Sequence, residues 1–271
     1  MIERKITIKT NHQLLIDALV ESTGLSKQVL KSALDKGCVW LKANQKVSRI
    51  RRVKKPLKIG DEVFIYFNEK ILASTATQPT LLLDKKDYSI WFKPAGVYSQ
   101  GSKWADHCTL TRLVEKLTDR PTFLVHRLDR ATSGLMILAH TKTMARAFSR
   151  LFAQRSIKKS YLAVVEGDFP FENISLDADI DEKNALSHIT KLAHNEQNSL
   201  LKIRIETGRK HQIRKHLSQI NFPIIGDRLH GNADKNFPKD LQLQAISLKF
   251  ICPIDAQEVD FRLAKNQEIM L

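Results

Sequence analysis

The sequence predicts an α+β protein whose larger part is built on a mainly antiparallel mixed sheet. From Leu81 onward, apolar runs with strand-like alternation outnumber helix-like patterns, and neighbouring runs are close enough in the chain to pair locally. The predicted strands are 88–93, 122–125, 135–139, 161–166, 188–193, 200–205 and 246–251. The predicted helices are 108–117, 141–154 and 209–220. This order argues against a doubly wound parallel sheet.

A small α+β region precedes this sheet. A short alternating run at 6–8 leads into an amphipathic helix signal that Gly24 ends. Ser26 is a helix-capping residue for a second helix, which Gly37 ends, and strand signals follow at 38–41 and 63–66. Residues 68–80 lose apolar periodicity and gain Ser, Thr and Pro. The sequence therefore predicts a domain at 1–67, a linker at 68–80 and a second domain at 81–271.

The charge of the chain indicates an acidic partner. Lys and Arg number 44 against 29 Asp and Glu, which gives a formal net charge of +15. A surface this basic repels itself unless it meets a polyanion, and nucleic acid is the commonest one. The N-terminal region contains a basic run, which we interpret as a loop that contacts RNA phosphates. Its members are Arg49, Arg51, Arg52, Lys54 and Lys55.

Several classes of protein are disfavoured. The three cysteines are far apart and form no C-x-x-C pair, so we expect a reducing compartment and neither a disulfide framework nor a zinc finger. No apolar run approaches the ~18 residues of a membrane span, and no secretory signal is recognised. His211 and His216 are five residues apart, which does not fit a helical zinc pair, so no metal is expected. We expect a cytoplasmic monomer without a membrane partner.

The densest polar cluster is 125–134, between two strand patterns. Asp129 lies there between Arg127 and Arg130, and nearby cations favour the charged form of a carboxylate. Strand-flanked loops often hold catalytic groups. A structural salt bridge on a turn is the alternative that these residues alone leave open.

The cluster reads H-R-L-D-R-A-T-S-G at 126–134, which resembles the H-R-L-D-x-x-T-S-G signature of the RluA-type pseudouridine synthases. Further blocks along the chain are similar to motifs of that family and come in the same order. Four positions depart from those motifs: Phe92 (usually Asn), His230 (usually Tyr), Gln244 (usually His) and Cys252 (usually His). These blocks are W-F-K-P-A-G at 91–96, K-S-Y-L-A-V-V-E-G at 159–167, T-G-R-K-H-Q-I-R-K-H-L at 207–217, G-D-R-L-H-G at 226–231, L-Q-A at 243–245 and C-P at 252–253. Residues 12–67 resemble the S-four-type RNA-binding domain, through the Gly-Leu-Ser between two helices, K-G-C-V at 36–39 and I-G-D-E-V at 59–63.

The resemblance implies a sheet with a central cleft and an enzyme that isomerises uridine to pseudouridine in structured RNA, with no cofactor. It implies that Asp129 is the essential carboxylate, that Arg214 pairs with it once substrate has excluded water, and that Tyr161 stacks on the uracil. It also implies that the target base is flipped out and that Arg127 fills the gap. The other RNA contacts implied for this domain are Arg130, Arg209, Lys210 and His211.

The substrate and two rival functions stay open at this stage. The accessory domain favours large-subunit ribosomal RNA, with transfer RNA as the alternative. A non-catalytic RNA-binding protein would need no carboxylate in a basic cleft. A hydrolase with Asp129 as its base would need further carboxylates, and among the other blocks of this domain only Asp227 is acidic at a defined motif position.

Overall fold

The computed structural model describes all 271 residues, which form two compact units. The first unit is Met1–Ala76 with Gln100–Leu113, and the second is Thr77–Ser99 with Val114–Leu271. The division at Ala76 lies inside the predicted linker, but the grouping of Gln100–Leu113 with the first unit was not predicted. No helix is long and apolar enough to cross a membrane.

The first unit contains a four-stranded antiparallel sheet, two nine-residue helices and a single-turn helix. Its elements are β1 (Ile2–Thr7), α1 (Leu15–Thr23), α2 (Lys27–Asp35), β2 (Val39–Ala43), β3 (Lys46–Arg49), β4 (Glu62–Phe67) and α3 (Glu69–Leu72). The strand order is β1-β4-β2-β3. The apolar faces of both helices, including Leu19 and Leu30, are buried with Val63 and Ile65 of the sheet. Ser26 caps α2 as predicted, because its hydroxyl accepts a hydrogen bond from the Val29 amide at 3.3 Å.

The predicted linker contains α3, and the structure gives a physical reason. The side chain of Asn68 accepts a hydrogen bond from the Ile71 amide at 3.2 Å, which caps this single turn. Leu72 is buried in the core of the first unit. Residues 68–72 therefore belong to a folded unit, which is a correction to the prediction that 68–80 is a linker throughout.

The basic run is not the free loop that the sequence suggested, because two of its side chains bond within the first unit. Arg49 stacks on the Trp40 ring, with 4.4 Å to the centroid, and donates to the Ser102 carbonyl at 2.7 Å. Arg49 and Arg51 both form ion pairs with Asp106. These contacts hold the segment Gln100–Leu113, so they also explain why it belongs to this unit.

The chain from Thr80 onward builds one ten-stranded sheet. Its elements are β5 (Thr80–Asp84), β6 (Tyr88–Lys93), α4 (Leu110–Thr118), β7 (Phe123–Leu124), β8 (Ser133–Ala139), α5 (Lys142–Ala153), β9 (Lys158–Glu166), β10 (Asn173–Asp177), β11 (Leu186–His194), β12 (Asn198–Ile205), α6 (Gln212–Gln219), β13 (Leu243–Ile251), β14 (Glu258–Arg262) and a 3-10 helix (Lys265–Gln267). The order is β10-β11-β12-β9-β13-β8-β6-β5, with β14 on β13 and β7 on β8. Every pairing is antiparallel except that of β13 with β8. The mainly antiparallel mixed sheet is as predicted.

The core of the second unit lies between this sheet and α5. Tyr88, Phe148 and Phe250 meet edge to face, with ring centroids 5.1 to 6.3 Å apart, and all three are buried. Met144 and Phe148 face the strands from α5, as expected for an amphipathic helix. This packing makes a rigid support for the loops at the ends of β7, β8 and β9.

Candidate active site

The loop between β7 and β8 carries the 126–134 signature and is fixed at three points. The ring of His126 accepts a hydrogen bond from the Ile137 amide at 2.9 Å, and burial lowers its pKa to about 3, which keeps the ring a neutral acceptor. The Ser99 hydroxyl donates to the Leu128 carbonyl at 2.6 Å and accepts from the Leu128 amide at 3.1 Å. At Gly134 the backbone of β13 comes so close that a Cβ would lie 2.2 Å from the Ala245 carbonyl oxygen. The loop therefore holds its side chains in a defined place.

A buried lysine joins this loop to the one after β6. The ammonium of Lys93 donates to the carbonyls of Pro94 at 3.0 Å, Val97 at 2.9 Å and Arg130 at 3.3 Å. Lys93 is fully buried, and this burial lowers its pKa to about 7. The Gly96 amide also donates to the Arg130 carbonyl at 2.8 Å. The W-F-K-P-A-G block thus supports the signature loop from behind.

A cleft of about 600 Å³ opens beside the signature loop, and it collects most of the predicted site residues. Asp129 comes from the loop, Tyr161 from β9 and Arg214 from α6. Basic side chains dominate the rest of the polar lining; they are Arg127, Arg155, Lys158, Lys159, Arg204, Arg209 and Lys210. A mainly cationic cleft that contains Asp129 suits a phosphate-bearing substrate.

Tyr161 lies on β9 between β12 and β13, in register with Ile203 and Ala245. Only 7% of it is exposed. Burial, together with the negative charge of Asp129, raises its pKa above the ordinary value for a tyrosine. Its hydroxyl is therefore protonated at physiological pH, so the side chain offers a flat apolar ring and a hydrogen-bond donor.

In the structure Arg214 does not form the ion pair with Asp129 that the resemblance implies for the substrate-bound site. Arg214 instead holds Asp227 through two bonds, from Nε to Oδ2 at 2.8 Å and from Nη2 to Oδ1 at 2.6 Å. Both side chains are buried, with exposed fractions of 7% and 1%. Asp227 also accepts from the amides of Leu229 and His230, both at 2.9 Å, which fixes it between α6 and the loop after it. Asp227 therefore accepts both parallel hydrogen bonds of the Arg214 guanidinium in a bidentate arrangement, in place of the pairing that was expected with Asp129.

The T-G-R-K-H-Q-I-R block builds the start of α6 through one glutamine. Oε1 of Gln212 accepts from the Thr207 hydroxyl at 2.7 Å and from the Arg209 amide at 3.0 Å. Its Nε2 donates to the Leu186 carbonyl and the Ser187 hydroxyl, each at 3.0 Å. Gln212 is 3% exposed, so these bonds are made away from water. They orient the first turn of α6 toward the cleft.

The imidazole of His211, at the start of α6, lies within 4 Å of Asp129. Its Nε2 is 3.8 Å from Asp129 Oδ1, and its Nδ1 is 2.8 Å from His230 Nε2. Burial lowers the pKa of both imidazoles. Sequence reasoning placed His211 among the RNA contacts, and it missed the contact with His230.

Other predicted residues lie outside the cleft lining. Arg130 is exposed, donates to the Gly96 carbonyl at 3.2 Å and stacks on Tyr98 at 4.9 Å. The basic run belongs to the first unit. Lys159 and Glu206 line the cleft but were not singled out, although each lies in or beside a motif block. No group of three or more His, Cys, Asp or Glu residues is placed to hold a metal ion.

Comparison with known proteins identifies the family. Residues 87–219 match the family model described as RNA pseudouridylate synthase. The chain is 33% identical over 225 residues to an uncharacterised RNA pseudouridine synthase of Helicobacter pylori strain J99, covering 75% of this chain and 73% of that one.

Two further relatives carry more specific names. The chain is 27% identical to the ribosomal large subunit pseudouridine synthase D of Borreliella burgdorferi, covering 88% of this chain and 82% of that one. It is 31% identical to the tRNA pseudouridine synthase C of Pectobacterium carotovorum, covering 61% and 53%.

A solved structure agrees on the fold. The human RNA pseudouridylate synthase domain containing 1 superposes with a TM-score of 0.60 at 22% identity, covering 69% of this chain and 83% of that one. With the H-R-L-D-x-x-T-S-G loop at the cleft, these similarities show that the chain belongs to the RNA pseudouridine synthase family and is an isomerase that acts on RNA.

Proposed function

We propose that this enzyme isomerises uridines in large-subunit ribosomal RNA and that Asp129 is the carboxylate on which the reaction depends. The single observation that carries the assignment of Asp129 is its position. It stands on a loop fixed at both ends, in a cleft whose other polar groups are mostly cationic. Glu206 also lines the cleft, but its carboxylate is bound by Arg204.

The reaction moves a base without changing the composition of the RNA. The N1–C1′ bond breaks, the uracil turns, and C5 bonds to C1′; the C5 proton is lost and N1 gains a proton. An ionised carboxylate serves each route to this product, whether it attacks the sugar, attacks the base or removes a sugar proton. No step needs an electron donor or a second substrate.

Tyr161 and Arg214 have supporting roles in this proposal. The buried ring of Tyr161 stacks on the uracil, and its protonated hydroxyl donates a hydrogen bond to the base. Arg214 contributes positive charge beside Asp129 while Asp227 fixes its orientation, so it acts through its field and not through a direct ion pair.

The target uridine must leave its stack to reach the cleft, at a cost of a few kcal/mol. Arg127 is exposed at the edge of the cleft, two residues before Asp129. Its planar guanidinium suits the space that the flipped base leaves. Arg209 and Lys210, beside the start of α6, contact the phosphates that flank the target.

The first unit is proposed to be an S-four-type RNA-binding domain that orients the substrate. Two side chains of its basic run, Arg52 and Lys54, remain exposed, and they take the phosphate contacts that the sequence had assigned to the whole run. The match to the synthase named for the ribosomal large subunit covers 88% of the chain and so extends into this unit. The match to the synthase named for transfer RNA covers 61%. This difference favours ribosomal RNA.

Tritium release tests the substrate class. RNA labelled at uracil C5 loses tritium only where C5 forms the new bond, so ribosomal and transfer RNA from cells lacking the enzyme are assayed separately with the wild-type protein. We expect release from the large-subunit RNA, with no change in the mass of the product nucleotides. Release from transfer RNA alone would replace the proposed substrate, and a product of changed mass would indicate hydrolysis.

A further inference from the structure

His211 lies between Asp129 and His230 at the cleft; it is hydrogen-bonded to His230 and faces Asp129 at a distance longer than a hydrogen bond. His211 Nε2 lies 3.8 Å from Asp129 Oδ1, and His211 Nδ1 lies 2.8 Å from His230 Nε2. The exposed fractions of the His211 and Asp129 side chains are 15% and 22%, so the contact between them is partly shielded from water.

The proton count of two neutral imidazoles allows two arrangements. A neutral imidazole has one N–H, and only one proton fits between the facing nitrogens at 2.8 Å. In the first arrangement His230 Nε2–H donates to His211 Nδ1, which leaves His211 Nε2–H directed at Asp129. In the second His211 Nδ1–H donates to His230, and a lone pair of His211 faces the carboxylate. The negative charge of Asp129 favours the first arrangement.

The position of His230 is itself fixed. Its amide and that of Leu229 donate to Asp227 Oδ1, and Asp227 is locked by Arg214 of α6. The backbone of His230 is therefore tied to the helix that begins beside His211. This tie holds the two rings edge to face, with centroids 5.0 Å apart.

Burial, more than the neighbouring charges, lowers the pKa of both rings and keeps the pair neutral near physiological pH. Arg214, Lys210 and Lys215 on or beside α6 oppose a proton on the pair, and the carboxylates of Asp129, Asp227 and Asp181 favour one. A single extra proton on His230 Nδ1 would leave the hydrogen bond between the rings intact, whereas a second would remove the acceptor.

We propose that His230 is a positioning residue that fixes the tautomer of His211, so that the Nε2–H of His211, 3.8 Å from the Asp129 carboxylate, presents the positive end of its dipole to it. The proposal rests on the proposed role of Asp129. His230 touches neither the substrate nor Asp129, and it acts only through the proton that it gives to His211.

The first test is nitrogen-15 NMR of the imidazoles in the full-length protein at pH 7.5, which needs no turnover. We expect His211 to be protonated at Nε2 in the wild type and in His230→Gln, because the glutamine amide supplies a donor in a similar place. In His230→Phe the donor is lost and only the charge of Asp129 still favours Nε2–H, so the fraction of His211 protonated at Nδ1 should rise. Protonation of His211 at Nδ1 in the wild type would overturn the proposal.

The second test is the single-turnover rate of tritium release. We expect His230→Phe to slow it about tenfold, the effect of one lost orienting hydrogen bond, with the RNA Kd unchanged. His230→Gln should recover most of that rate and lose the dependence on pH that the His230 ring contributes. His194→Phe, at an exposed histidine, is the matched control and should not alter the rate. Equal rates for His230→Phe and the wild type would contradict the proposal.

The two tests separate this inference from the proposed function. If no RNA releases tritium, the proposed substrate fails while the NMR result still decides the tautomer. If release occurs and depends on Asp129 but the tautomer is the same in His230→Phe, the function stands and the role of His230 is wrong.

Discussion

The ion pair between Arg214 and Asp227 gives the sharpest prediction about stability. Asp227→Asn keeps the shape of the side chain but removes the charge that Arg214 faces, and it turns one acceptor into a donor against the guanidinium. Because the pair is 7% and 1% exposed, Arg214 would keep a buried charge without its partner. Loss of one partner of a buried pair costs about 3–5 kcal/mol, which lowers the Tm of a unit this size by about 6–20 °C.

The loss of stability caused by Asp227→Asn depends on pH, and the lowered pKa of Asp227 sets the direction of that dependence. Burial opposes ionisation of Asp227, but the hydrogen bonds from Arg214 and from two amides outweigh it, so the pKa of Asp227 is lowered on folding. The unfolded carboxylate binds its proton first as the pH falls, so the pair's contribution is complete above about pH 4 and is lost as the pH falls through the lower folded value. The difference between wild type and Asp227→Asn should therefore shrink in strong acid.

Scanning calorimetry is the assay, because it separates the transitions of the two units. Asp260→Asn is the matched control: Arg262 also holds Asp260 through two bonds, but on the surface, so its loss should cost less than about 1 kcal/mol. The double variant Arg214→Met with Asp227→Leu should unfold at a higher temperature than Asp227→Asn, since it leaves no unpaired charge. A cost below 1 kcal/mol for Asp227→Asn would refute the reasoning.

Three further predictions concern other parts of the molecule. Gly134→Ala should destabilise the second unit by about 3 kcal/mol or more, since φ is +115° and the new Cβ meets a β13 carbonyl at 2.2 Å; a melting temperature within 2 °C of wild type would contradict this. His126→Leu should lower the free energy of unfolding by about 1–3 kcal/mol in urea at pH 7.5, because the Ile137 amide loses its acceptor; equal stability would count against the role of this ring. His126→Gln keeps an acceptor and does not titrate, so it should weaken the loss of stability below pH 6.5 that follows from a folded pKa of about 3 for His126. The double variant Arg52→Ala with Lys54→Ala should lower the slope of log affinity for RNA against log salt concentration by about 2, with the single-turnover rate at saturating RNA unchanged. Lys142→Ala, at another exposed lysine, is the control and should not change the slope; an unchanged slope in the double variant would remove Arg52 and Lys54 from the RNA contacts.

The elements that the sequence predicts well are those whose burial pattern is strong. Tyr88–Lys93 is buried at five of six positions, and its apolar run predicts the strand to the residue. The strands that were missed include β3, which is almost wholly exposed and shows no alternation, and β14, whose five residues Glu-Val-Asp-Phe-Arg alternate but form only a short run. Each forms a hairpin with the strand just before it in the chain, β3 with β2 and β14 with β13, and that partner strand supplies its hydrogen bonds.

At the candidate site, local sequence motifs predicted which residues line the cleft but not which side chains they contact. Motif spacing brings Asp129, Tyr161 and Arg214 to one cleft as the resemblance implies. The ion-pair partner of Arg214 is 13 residues further along and depends on how the loop after α6 turns back. The contact between His211 and His230 spans 19 residues and is set by the same loop. Motifs therefore predicted membership of the site, and tertiary packing decided the partners.

A related correction concerns the first unit. Arg49 and Arg51 look like the centre of an RNA-binding loop in the sequence, but both bind Asp106, which is more than 50 residues away. No local pattern connects these positions. The cytoplasmic location and the monomeric state remain predictions.

The central claim is that Asp129 carries the isomerisation, and Asp129→Asn tests it most directly. Tritium release from C5-labelled large-subunit RNA is measured in single turnover, with the RNA Kd determined in parallel and Asp179→Asn, at an exposed carboxylate, as the control. We predict that Asp129→Asn binds RNA as the wild type does but releases no tritium, while Asp179→Asn is unaffected. Release by Asp129→Asn at a rate near that of the wild type would contradict the account.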